Sequence, residues 1–181
     1  MGNIFSRCLA FFLFILAFPL LLVVSFVILL FERENVLFLQ TRLGINKTPF
    51  TIYKLRTMKN GEITFIGRIL RKTGIDEIPQ LLNIIKGNIT FIGPRPLTQF
   101  DVERLEWTTN YHRVRWNIKP GLTGLAQLSP ICHKKMTLFW DRYYVSHQNI
   151  GLDLKIISAS LLTLFIGKGR VKAIIQKKLN K

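Results

Sequence analysis

Carboxylates are scarce in this chain. Ten Asp and Glu face 26 Lys and Arg, a formal net charge of +16. Cysteine is almost absent as well: Cys8 and Cys132 are one distant pair, expected to be reduced apolar fillers in a cytoplasmic chain. The three histidines, His112, His133 and His147, lack metal-ligand spacing. No repeat or low-complexity tract occurs. The basic residues come without an RNP, zinc-finger or helix-turn-helix signature, so nucleic acid is not the expected partner, and a non-enzymatic membrane-anchored basic protein that binds lipid or nucleic acid is the alternative to an enzyme. Anionic lipid headgroups and phosphorylated small substrates are the other two readings of this charge, and they are compatible with each other.

Charge of either sign is missing from Cys8 to Phe31. As a helix that run would be roughly 36 Å long, against a hydrocarbon core of about 30 Å. A signal peptide fits poorly, because the run is too long, Arg7 is the only base before it and no A-x-A-like site follows. The expectation is a retained membrane segment, residues 1–34, ahead of a cytoplasmic body, residues 35–181. The start MGNIFS also satisfies an acylation pattern, which a long apolar segment makes redundant. Pro19 stands mid-run, where a proline removes a helical hydrogen bond at a cost of about 3 kcal/mol. The segment would therefore cross with a kink, or bend and return to the face it entered. The Lys/Arg-rich body belongs on the cytoplasmic side.

Against this background Asp76-Glu77 stands out as the only adjoining pair of acids. Two carboxylates in a cationic setting suit a divalent metal or attack on phosphorus. An acidic decoration of a helix N-terminus is the plainer alternative. Pro79 places a helix start at or near Asp76, since proline fits only a first turn. Ile75, Ile78, Leu82 and Ile85 predict its apolar stripe, with Asp76, Gln80 and Asn83 on another face and Lys86-Gly87 as its end.

Elsewhere, Val36–Leu39 reads as a strand, Gln40–Phe50 as a hairpin turning at Gly44 and Asn46, and Phe50–Met58 as the return strand. That strand carries Lys54, Arg56 and Thr57 to one end. A short amphipathic helix is predicted over Thr64–Lys72, one over Val102–Trp116, and an aromatic one over Leu138–Val145. Lys119–Leu128 reads as a Pro/Gly loop running into a strand. Gly93–Leu97 (GPRPL) is a rigid turn that fixes Arg95 between prolines, suited to a bidentate phosphate clamp. Ile156–Gly167 is too short to span a bilayer and predicts an interfacial helix over about 152–167. The fold class expected is α/β, mostly helical with a small hairpin or sheet.

Together, Q-x-R-x-G (Gln40, Arg42, Gly44), KLRTM (Lys54–Met58), the block from Leu70 to Pro96, KPGLTGLAQ from Lys119 and DRYYV (Asp141–Val145) resemble the bacterial sugar transferase family, the monotopic phosphoglycosyl transferases. The likeness covers nearly the whole chain in the family's order. It implies transfer of a phospho-sugar from a UDP-sugar to a polyprenol phosphate, with release of UMP, at the cytoplasmic face of a bacterial inner membrane. It implies an Asp-Glu dyad working with Mg²⁺, here Asp76 as nucleophile and Glu77 as its partner or metal ligand, and a re-entrant membrane helix broken at Pro19. Lys54, Arg56, Arg71, Arg95 and Lys119 are the cations expected to hold phosphate or nucleotide. Two departures stand: Phe18 precedes the proline where the family has Ser, and Lys119 stands where Arg is common.

Overall fold

The computed structural model describes residues 2–130 and 133–179. In chain order come α1 (Gly2–Glu32), β1 (Leu37–Leu43), β2 (Pro49–Leu55), β3 (Met58–Lys59), β4 (Glu62–Ile63), α2 (Phe65–Thr73) and α3 (Leu81–Lys86). Then follow β5 (Thr90–Ile92), α4 (Gln99–Arg104), β6 (Gly121–Thr123), α5 (Leu125–Leu128), α6 (Lys134–Ser146), α7 (Ile150–Ile166) and α8 (Lys168–Leu179). Tight 3-10 turns occupy Ile45–Lys47, Ile75–Gln80 and Asn110–Trp116. The described chain is mostly helical, and its strands pair as β1-β2, β3-β4 and β5-β6. It folds as two compact units, one taking the chain up to Thr41 with Thr51–Asn88, the other Arg42–Phe50 with the chain from Ile89 onward. Cys132 lies outside the described residues. Cys8 is a free, exposed thiol, so it fills no core as expected of it.

In the first unit, α1 is long and apolar enough over Ile4–Glu32 to cross a membrane, by length and composition. Apolar residues cover it all round, so packing rather than polarity marks its inner face. Ala10, Phe14, Ala17, Leu21, Val24 and Ile28 recur at spacings of four and three and are buried or half-buried, while Phe12, Leu16, Val23 and Phe26 are exposed. Leu21 and Ile28 join Leu55 and Leu70 in a core, with Val36, Ile66, Ile75 and Ile78 packed around them. The helix continues through Pro19, which lies on the exposed side, and the inner stripe runs on past it. Both ends of α1 are tied to this unit: Arg7 Nη2 donates to the Lys86 carbonyl at 3.2 Å, and Lys59 Nζ to the Glu32 carbonyl at 2.6 Å.

The amphipathic helix α2 starts at Thr64, whose Oγ1 accepts from Gly67 N, and stops at Gly74 in the left-handed region (φ 73°). Asp76 does not open an α-helix. Ile75–Gln80 is a 3-10 segment, because Pro79 lacks the N–H that an α-helical turn would direct at the Ile75 carbonyl, and α3 begins only at Leu81. The shorter turn also rotates the faces. Leu81, Asn83 and Ile84 are buried, whereas Leu82 and Ile85 of the expected stripe are only half-buried.

Among the described residues, two core clusters belong to the second unit. Leu43, Leu97, Val102, Trp107, Trp116 and Leu138 form one; Leu128, Tyr144 and Ile156 form the other, with Ile92, Ile118 and Leu152 against them. The helix predicted over Val102–Trp116 is interrupted. Asp101 and Thr98 make a reciprocal capping box that starts α4 early, and Glu106 takes a left-handed φ of 59° that ends it. In the hairpin tip the left-handed residues are Asn46 and Lys47, not Gly44. β5 and β6 run parallel, Thr90 opposite Gly121 and Ile92 opposite Thr123. Gly121 is required there, since a Cβ would collide with the backbone of Ile92 and Gly93. Within Lys119–Leu128, read as a loop running into a strand, Gly121–Thr123 forms the strand β6 and the chain then turns into the helical α5.

Candidate active site

The first unit gathers four of the residues singled out in the sequence. Asp76 and Glu77 follow the glycine stop of α2 in the 3-10 segment, Arg71 lies in the last turn of α2, and Lys54 is near the end of β2. Lys54 Nζ donates to Glu77 Oε1 at 2.5 Å, and Arg71 Nε donates to Thr57 Oγ1 at 2.9 Å. Asp76 is buried and Glu77 is 40% exposed at its side chain. Lys54 is placed by a residue whose role the sequence pattern alone does not give. Fully buried Asn83 accepts from Tyr53 N at 3.1 Å and donates to Thr51 O at 2.7 Å, so α3 acts as a side-chain extension of β2's hydrogen bonding. Arg56 is elsewhere in this unit, its Nε on the Asn35 carbonyl at 2.7 Å.

Burial, and then the neighbouring charge of Glu77, push the Asp76 carboxyl above its ordinary range, with Lys54 and Arg71 opposing. The positive end of a full α-helix would favour its ionised form. A single turn of 3-10 geometry after a left-handed glycine gives little dipole, and desolvation wins. Two adjacent acids that repel each other in a basic setting are a donor set for a hard cation. No group of three or more His, Cys, Asp or Glu suited to a metal occurs among the described residues. The pair has the chemistry for a Mg²⁺ ion whose other ligands come from outside the protein, which this ion accepts with one or two carboxylates, and does not fit a closed protein cage.

Arg95 and Lys119 belong to the second unit, on two loops that touch. A Cβ at Gly93 would lie 2.6 Å from the Lys119 carbonyl. Four successive carbonyls of the Arg95 loop are taken up: Pro94 O by Gly121 N (2.9 Å), Arg95 O by Arg115 Nη2 (2.8 Å), Pro96 O by Arg42 Nη1 (3.3 Å) and Leu97 O by Leu43 N (2.8 Å). The side chain of Arg95 is left exposed between two buried prolines. The same Arg115 donates through Nε to Asp141 Oδ2 at 3.0 Å, and its guanidinium lies over the rings of Trp107 (4.9 Å) and Trp116 (4.8 Å). Burial holds Arg115 below its ordinary range and raises Asp141 to about 6, despite the attraction between them. Arg42 is also held low, by burial and then by the like charge of Arg95, while Asp101 opposes. Two cations crowded in this way favour an anion beside them.

A family model described as bacterial sugar transferase matches residues 1–167. The uncharacterized sugar transferase EpsL of Bacillus subtilis is 37% identical over 150 residues, 74% of this chain and 72% of that protein. The exopolysaccharide production protein PSS of Rhizobium leguminosarum bv. phaseoli is 34% identical over 178 residues, 83% of this chain and 88% of that protein. The UDP-glucose:undecaprenyl-phosphate glucose-1-phosphate transferase of Klebsiella pneumoniae is 32% identical over 175 residues; the match takes 85% of this chain but 38% of that longer protein. The chain belongs to the bacterial sugar transferase family.

Proposed function

We propose that the protein moves a phospho-sugar from a UDP-sugar to a polyprenol phosphate such as undecaprenyl phosphate, releasing UMP, as a first membrane step of glycoconjugate assembly. The observation that carries this is the buried Asp76, flanked by Glu77 and faced by Lys54 and Arg71. Relatives named as transferases of this kind act between UDP-glucose and undecaprenyl phosphate, which supports the substrate classes. The ionised Asp76 carboxylate attacks the sugar-linked phosphorus. A phosphorus–oxygen bond forms as the one to UMP breaks, leaving an aspartyl phospho-sugar. An oxygen of the lipid phosphate then attacks the same phosphorus and Asp76 leaves as carboxylate, giving the polyprenyl diphospho-sugar.

Arg71 and Lys54 counter the phosphate charge that repels an anionic nucleophile, and Glu77 orients Lys54. Mg²⁺, held by Asp76 and Glu77 together with substrate oxygens, would supply further charge neutralisation. Arg95, offered on an immobilised loop, and Lys119 supply phosphate or nucleotide contacts, with Lys119 lacking the fork of an arginine. The lipid phosphate is largely ionised at neutral pH, so Glu77 has little work as a base.

The reading places the body at the cytoplasmic face of a bacterial inner membrane. α1 runs unbroken through Pro19 with both ends tied to one unit, which supports a monotopic helix lying against the body and lends nothing to the re-entrant break expected at Pro19. The exposed Ile150, Leu154, Ile157, Leu161 and Phe165 of α7, spaced by four and three, support an interfacial helix. The test is covalent labelling. Purified protein incubated with a UDP-sugar labelled in the sugar phosphate should retain label, Asp76→Asn should not, and UMP turnover should require the lipid phosphate. Equal labelling of the two proteins removes Asp76 from this role.

A further inference from the structure

Away from the Asp76 cluster, the first unit has a concavity of about 440 Å³ where α1 ends and α2 begins. Val27 and Phe31 of α1 and Phe65 and Ile66 of α2 make apolar walls, and Glu32, Lys59 and Thr64 supply the polar groups. Glu32 is the anomaly. Its side chain belongs to a residue only 5% exposed, and both carboxylate oxygens are buried without a hydrogen-bond partner. A buried carboxylate with nothing to pair it is among the least favourable groups a fold can hold. The nearby ammonium of Lys59 does not relieve it, since Lys59 Nζ is on the backbone carbonyl of Glu32.

Beside Glu32 the lining also carries groups of the opposite sign. Thr64 Oγ1 and O take the amides of Gly67 and Arg68, which leaves those of Phe65 and Ile66, the first two of a nine-residue helix, without an acceptor inside it. An ammonium and a helix N-terminus together favour an anion. The cavity therefore asks for a cationic hydrogen-bond donor, an anion close to it and an apolar remainder, at the end of a helix apolar enough for a bilayer.

We propose that this cavity binds an aminophospholipid of the phosphatidylethanolamine class. Its ammonium pairs with Glu32, its phosphodiester with Lys59 and the first amides of α2, and the upper part of its chains lies on Val27, Phe31 and Phe65. Phosphatidylcholine carries the same two charges but no N–H to donate, and phosphatidylglycerol has no cation. The proposal goes beyond the transfer reaction and stands whether or not that reaction is the protein's activity.

The full chain, delipidated in detergent, is titrated with each lipid at matched acyl chains and followed by native mass spectrometry. Phosphatidylethanolamine should bind about tenfold more tightly than phosphatidylcholine, the worth of one charge-assisted hydrogen bond. Glu32→Gln should bring the two lipids to parity, and Lys59→Met should weaken both. Equal binding by the unaltered protein, or an undiminished preference in Glu32→Gln, overturns the proposal. Unfolding of lipid-free protein gives a second reading. Glu32→Gln removes an unpaired buried charge, so it should melt no lower than the unaltered chain, and added phosphatidylethanolamine should raise the midpoint of the unaltered chain alone. A markedly lower midpoint for Glu32→Gln would mean that the carboxylate has a partner within the protein, and would equally overturn it.

Discussion

The buried Arg115–Asp141 pair can be taken apart so that its two roles, electrostatic and positional, give separate readings. Arg115→Met leaves Asp141, whose side chain is 3% exposed, without its cation. Breaking such a pair from one side costs about 3–5 kcal/mol, because a buried charge is stranded. Replacing both partners, Arg115→Met with Asp141→Leu, removes the stranded charge and should recover stability to within about 1 kcal/mol. The pH dependence of the single variant follows from the sign of the Asp141 shift. Burial already raises its carboxyl to about 6 with Arg115 present, above the ordinary 3.8. A raised carboxyl gives stability that is intact at low pH and lost as pH climbs through its folded value. Arg115→Met should therefore be less destabilised, relative to the unaltered chain, at pH 5 than at pH 7.5.

Activity should separate from stability in the double variant. The Arg95 carbonyl still lacks the donor that holds it at 2.8 Å, and a hydrogen bond from a charged group is worth about 1.5–3 kcal/mol. Loss of even the lower figure in placing Arg95 corresponds to roughly tenfold in kcat/KM for UMP release. Urea unfolding in detergent and steady-state kinetics on the same preparations measure the two quantities. A double variant as unstable as the single one would refute the stranded-charge argument. A stable double variant with full kcat/KM would refute the positioning of Arg95.

Three other outcomes follow from the geometry. Because burial and Glu77 raise the Asp76 carboxyl, and the nucleophile must be ionised, the acid limb of kcat/KM should have its midpoint above 3.8, and Lys54→Met should move it higher still. Gly67→Ala would drive a Cβ into the Thr57 carbonyl and displace the Thr57–Arg71 bond. It should lower stability by about 1–3 kcal/mol and reduce turnover, as read by thermal unfolding and UMP release. Chelation of divalent cations by EDTA should stop UMP release, and Mg²⁺ in excess should restore it; activity that persists under EDTA would remove the metal from the scheme.

The sequence makes the first unit's site unusually legible, because its signals are local. Gly74, the adjoining acids and Pro79 lie within six residues, so chain chemistry alone brings Asp76 and Glu77 to a helix junction next to Arg71. Proline also accounts for what that local reading gets wrong, since the 3-10 segment it imposes shifts the buried face from Leu82 to Leu81 and Ile84. Asn83 shows its face in the periodicity but not its task, because its partners Thr51 and Tyr53 lie 30 or more positions earlier. Arg115 and Asp141, 26 residues apart, carry no pattern that pairs them. Thr98-x-x-Asp101, by contrast, is a spacing signal sufficient to start α4 ahead of Val102. In α1 the uniform apolarity hides which side packs. Only the fold distinguishes Ala10, Leu21 and Ile28 from their equally apolar neighbours.

With the carbonyls of Pro94 to Leu97 all engaged, the segment around Arg95 behaves as a fixed jaw. In the proposed transfer a jaw of that kind would grip a feature common to every donor, the diphosphate, with no slack to follow the outline of different hexoses. Discrimination between one sugar and another must therefore be written in less constrained stretches of the chain. Grafting this segment between relatives of differing taste should leave each recipient's choice of sugar as it was.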